Sequence, residues 1–199
     1  MEKILTNKEK CINLFTNIFS SPFKLALLLL FAVLFTTFII YYPSYGTADD
    51  PIMNIMASGL TNADVGPSSF LLYSNTLYGE ILKKLYLVNN HIDWYDLLCY
   101  FLQSLALFIT GFTVFDKTKI KHNIFALVVL FGIYTPLFLE EQFTTYTGIL
   151  VISAICTCIY MLKNNLKIFQ YIIGCSYVIA VLSVASLVRF SAFCIILLF

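Results

Sequence analysis

The sequence predicts an all-α polytopic membrane protein, with about five transmembrane helices and in-plane interfacial helices in the first outer loop. Three observations carry this. Apolar residues make up 60% of the 199 positions and charged residues only 12%, against about 25% charged in an ordinary soluble domain. A mean hydropathy of +0.86 leaves too little polar surface to coat a globule in water. The apolar residues are also gathered into runs of the length a bilayer needs, about 20 residues for a helix. A formal net charge of +1, with no long basic run, gives nucleic-acid binding no electrostatic footing.

In chain order, residues 1–23 read as a cytoplasmic leader with an interfacial helix, because Ile12, Phe15, Ile18 and Phe19 recur at helical spacing before the Ser20-Ser21-Pro22 break. Residues 24–199 form the transmembrane domain, with spans expected near 24–42, 95–115, 124–139, 143–162 and 168–188. The first span is too long and too far from the terminus for a cleaved signal peptide and reads as a retained signal anchor. Pro43 and Gly46 end it, and Tyr41, Tyr42 and Tyr45 suit a headgroup layer. The long loop 43–94 then holds, after Asp49-Asp50-Pro51, a short helix through Met56, stopped by Ser58-Gly59, and a mixed apolar and charged stretch over 70–88. That stretch reads as one amphipathic in-plane helix, since Glu80, Lys83 and Lys84 would be costly at the bilayer centre. Trp94, Tyr95 and Tyr100 mark the return to the membrane. Residues 168–199 as one helix would be about 48 Å long, beyond a hydrocarbon core of about 30 Å, so a turn is expected near Arg189. The apolar ending Ile195 to Phe199 reads as the close of an N-terminal piece of a longer protein.

Lysine placement sets the expected orientation. With the N-terminus inside, the inner segments carry nine lysines against Glu2, Glu9 and Asp116, while the outer segments carry Lys83, Lys84 and Arg189 against eight acids. The location expected is the plasma membrane, crossed several times. The six cysteines offer no metal or redox pattern: Cys156 and Cys158, two apart, point about 200° from each other on a helix, and neither His91 nor His122 is near them.

The residues with the most chemical content are Asp49 and Asp50, adjacent carboxylates just outside the first span. One aspartate is enough to cap the short helix that follows. The second adds like-charge repulsion, which makes sense where a proton, a cation or a basic partner uses it. Arg189, the only arginine, either snorkels at a helix end or grips an anion through its planar fork. Lys83 and Lys84 suit headgroups, Gln142, Thr144 and Thr145 suit hydrogen bonds within the bundle, and His91 reads as an exposed loop residue.

TADDPIMNIMASGLTNADVGPSSFLLYSNTLYGEILKKLY from Thr47, followed by DWY, resembles the first outer loop of the GT-C-type membrane glycosyltransferases, which use polyprenyl-phosphate-linked sugars. EEQFTTYTGILV at 140–151 and SLVRF at 186–190 resemble later segments of bacterial members. The resemblance covers most of these residues but only the amino-terminal part of that architecture. It implies an enzyme that moves a sugar from a polyprenyl-phosphate donor to a glycan or lipid acceptor at the outer face, for the cell envelope. It further implies that Asp49 or Asp50 is the catalytic base or organises the acceptor, that Arg189 holds the donor phosphate, and that Glu140 and Glu141 help bind a divalent cation. Carboxylate oxygens suit magnesium or manganese; the adjacent pair departs from an Asp-x-Asp pattern. The alternative from another class is a non-enzymatic polytopic protein of envelope assembly or transport, or a truncated inactive remnant.

Overall fold

Residues 18–60 and 66–198 are described in the structure, a computed structural model of the chain. Cys11 and the leader positions Ile12 and Phe15 lie outside the described residues. Among the described residues five helices are long and apolar enough to cross a membrane, which makes this an all-α polytopic membrane protein.

The first span is α1 (Pro22–Phe35), prolonged by a π-helical turn over Thr36–Tyr41. Pro22 opens it because proline has no N–H to lose at a first helical position, and the chain breaks at Tyr42, whose φ is 61°. A two-residue strand β1 (Ser44–Tyr45) leads to α2 (Asp49–Ser58), which Gly59 ends in the left-handed conformation at φ 81°, its N–H on the Ile55 carbonyl. Next come α3 (Thr76–Val88) and the spans α4 (Trp94–Val114) and α5 (Ile120–Leu139). After strand β2 (Glu140–Glu141) follow the spans α6 (Phe143–Lys163) and α7 (Ile168–Val188), then the short α8 (Phe190–Leu198).

Two boundaries differ from expectation for local reasons. The helix expected over 70–88 begins only at Thr76, because the Asn75 side chain accepts the Leu77 N–H at 2.9 Å as a cap and Tyr73 takes a left-handed φ of 61°. At 13 residues α3 rises about 20 Å, too short to span. It buries Tyr78, Leu82 and Tyr86, one per turn, and leaves Lys84 exposed. The third span starts at Ile120, ahead of its apolar run, because Asn123 is fully buried yet satisfied. Its amide donates to the carbonyls of Phe19 and Asp116, at 2.8 and 2.6 Å, and accepts the Asp116 N–H.

Helix α4 is the centre of the bundle, packed on α1 and α6, while α7 lies against α6. The α1 contact is close because Gly111 has no side chain: a Cβ there would meet the Ala26 Cα at 3.4 Å. Leu25, Leu29, Leu107, Tyr146 and Leu150 fill the core together with buried Thr110, Thr147 and Ser153, whose hydroxyls bond to carbonyls of their own helices. Outside, Phe31, Phe101 and Phe125 are more than 60% exposed. Large apolar groups outward and small or polar groups inward is the pattern of a bundle in lipid. The five cysteines among the described residues are free and lie in spans or in α8, in keeping with their reading as small hydrophobes.

Candidate functional site

The acidic pair opens α2, where the unpaired N–H groups of a first turn favour negative charge. Neither carboxylate is the cap. Ala48 holds that position with helical backbone and no side-chain bond, so the capping role is empty and the two side chains are set to other uses.

Asp50 is fully buried. Its Oδ2 accepts the Thr47 hydroxyl at 2.8 Å, and its Oδ1 accepts the Tyr95 hydroxyl at 2.9 Å and the Phe143 backbone N–H at 3.0 Å. One carboxylate thus ties the loop after the first span to the first turn of α4 and to the first residue of α6. Burial raises its pKa above the ordinary carboxylate value, the neighbouring Asp49 adds to the rise, and the three donors oppose it. Asp49 is different in kind. It is half-buried, and among the described residues its carboxylate takes no hydrogen bond, so it is the member of the pair with oxygens to offer a ligand.

A parallel bridge brings the α5–α6 connection alongside, with Ser44 opposite Glu140 and Tyr45 opposite Glu141. Arg189 sits at the turn between α7 and α8, as the sequence leads one to expect. Its guanidinium donates to the Thr144 hydroxyl and lies over the Phe143 ring at 4.3 Å and near the Tyr73 ring at 5.7 Å. Those two rings stack, with centroids 6.2 Å apart and planes at 7°. The start of α6 is therefore a common seat: Phe143 gives its backbone N–H to Asp50 and its ring to Arg189. Three stretches far apart in sequence, 49–50, 140–144 and 189, are gathered there. Among the described residues no three His, Cys, Asp or Glu side chains gather as a metal ion's donors would.

Sequence reasoning missed a second polar network beside the first. Tyr45 donates to both oxygens of Asp96 at 3.0 Å; Asn54 donates to Asp93 at 2.8 Å and to the Tyr45 hydroxyl; Tyr86 donates to Asn54 at 2.7 Å and to Asp93 at 3.0 Å. Burial, together with the nearby carboxylates, pushes the Tyr45 and Tyr86 hydroxyls far above the usual phenol value, which keeps both as donors. The one available signal was Asp-Trp-Tyr-Asp at 93–96: Asp93 caps α4 by accepting the Asp96 N–H. Lys84 and His91 are exposed, and a crevice of about 710 Å³ between the ends of α2 and α3 is lined by Tyr86, Asn89 and His91 rather than by the acidic pair. No family model, characterised protein or solved structure matches the chain.

Proposed function

We propose that these residues form the outer-face site of a GT-C-like glycosyltransferase, as its amino-terminal portion. Its donor is a polyprenyl-phosphate-linked sugar, its acceptor a glycan or lipid of the cell envelope, and its place the plasma membrane with the N-terminus in the cytoplasm. The observation that carries the reading is the convergence of Asp50, the sequence neighbour of Asp49, with Phe143-Thr144 and Arg189 at the start of α6. In the reaction the acceptor oxygen bonds to the anomeric carbon as the bond from that carbon to the phosphate oxygen breaks, leaving its electron pair on the phosphate. Asp49 takes the acceptor's proton, because its carboxylate is open. Asp50 is a positioning residue, enclosed by its three donors. Arg189 steadies the phosphate: one N–H is used on Thr144, and a guanidinium has five.

The burial of Asp50 is equally what a purely structural tie in a non-enzymatic assembly or transport protein would show, so the experiment must read sugar transfer. Membranes bearing the full-length protein are supplied with polyprenyl-phosphate-linked sugars. Arg189→Lys keeps the charge but loses the fork, and raises donor KM about tenfold or more, the worth of one hydrogen bond to a charged group. Unchanged donor use in both Arg189→Lys and Arg189→Ala would remove Arg189 from the site. Orientation has its own check. A cysteine introduced at Ser68, in a background without native cysteines, is labelled by an impermeant reagent from outside; labelling from the cytoplasm alone contradicts the sidedness.

A further inference from the structure

At the end of the bundle opposite the acidic loops, α4, α6 and α7 leave a groove of about 290 Å³ between Ile109 and Phe112, Met161, and Ile173 and Tyr177. Its wall is mostly apolar, and three of the wall's hydroxyls are already used. Thr113 donates to the Thr110 carbonyl at 2.9 Å, Thr157 to the Ser153 carbonyl at 2.8 Å, and Tyr177 shares a hydrogen bond of 2.8 Å with Ser153. The Tyr160 hydroxyl and the Gln170 amide N–H groups are left in the wall, and an acyl chain needs neither. The volume is at the low end for small-molecule sites and suits a length of chain rather than a compact ligand.

The groove's mouth has a charge. Leu166 and Gln170 line it at the α6–α7 turn, where Lys163 is the last residue of α6 and Lys167 precedes α7. Both lysines are exposed, and among the described residues neither forms an ion pair. The one acid described at this end, Asp116, pairs with Lys119 at 3.8 Å and so leaves the lysines of the α6–α7 turn uncompensated. Two cations flanking the open end of a dry groove are complementary to a headgroup phosphate with its chain in the groove.

We infer that the groove between α4, α6 and α7 is a binding site for an anionic phospholipid, its acyl chain seated against Ile109, Phe112 and Ile173 and its phosphate held by Lys163 and Lys167. This site lies apart from the outer-loop site and stands whether or not that site transfers sugar. The lipid would lie between α4 and α7, both of which pack on α6.

The test is photocrosslinking of the full chain in phosphatidylcholine vesicles that contain one tenth of either phosphatidylglycerol or phosphatidylcholine bearing a photoactivatable acyl chain. Adducts are mapped by mass spectrometry. The expected result is that groove residues Ile109, Phe112 and Ile173 take at least about fivefold more phosphatidylglycerol than phosphatidylcholine, the gain one surface lysine provides. The lipid-facing Phe125, 70% exposed, shows no such preference. Lys163→Gln with Lys167→Gln, both solvent-facing changes that leave the fold alone, abolishes the preference, and Ile173→Trp fills the groove and lowers labelling of Ile109 and Phe112 by either lipid. Equal labelling by the two lipids at the groove would mean an ordinary lipid annulus and overturn the site. Labelling at Phe125 with none at the groove would mean that protein covers it, and would overturn the site as well.

Discussion

Asp50→Leu should destabilise the protein by about 2–6 kcal/mol. The substitution leaves the Tyr95 hydroxyl and the Phe143 N–H buried and without an acceptor, each at about 1–3 kcal/mol. Thr47, only half-buried, can turn to water. Asp50→Asn should stay close to the parent. The asparagine oxygen keeps the Tyr95 and Phe143 donors, and the Thr47 hydroxyl, able to donate or accept, reverses to take a hydrogen from the new amide. The pH profile adds a second readout with a definite sign. Because burial raises the folded pKa of Asp50 above its ordinary 3.8, the fold favours the protonated acid. Its contribution is whole below 3.8 and declines as pH rises from there through the raised folded value. Asp50→Asn removes that part of the slope. Unfolding midpoints in a detergent titration, taken across pH, measure both effects, and an Asp50→Leu protein as stable as the parent would contradict the tie.

Much of the frame was legible in the sequence, because lipid imposes a simple rule on it. The five apolar runs became the five spans, with ends displaced by a few residues where a polar group found a partner, as Asn123 did at the start of α5. Gly59 and Arg189 ended helices where backbone chemistry and length said they must. Phe70 to Ser74 misled, since apolar composition outweighed the capping amide of Asn75 that decides where α3 begins. The acidic pair was legible as a feature but not in its roles. Two adjacent aspartates look alike on paper, and what separates them is Tyr95, 45 positions away, and Phe143, 93 positions away. The same holds for Arg189: nothing local to it announces the Phe143 and Tyr73 rings, which arrive from an α6 start and a loop turn that only the packed bundle brings together.

The other large effect falls on Asp49. An acceptor hydroxyl attacks slowly until its proton is removed, and a positioned carboxylate is worth about 10²–10⁴-fold in such a step. Asparagine at Asp49 keeps size and polarity and cannot take the proton. Since the Asp49 carboxylate takes no hydrogen bond among the described residues, its loss leaves no buried donor stranded, and stability should move by less than about 0.5 kcal/mol. Asp49→Asn in the full-length protein should therefore fold and express normally while transfer falls about 100-fold or more. Asp50→Asn, which preserves the tie, should retain far more of the rate. The most direct measurement of the whole account is thus the transfer rate of Asp49→Asn beside Asp50→Asn, with polyprenyl-phosphate-linked sugar supplied to membranes holding equal amounts of folded protein. The account predicts a deep loss confined to Asp49→Asn; a normal rate in the double variant Asp49→Asn, Asp50→Asn would contradict it.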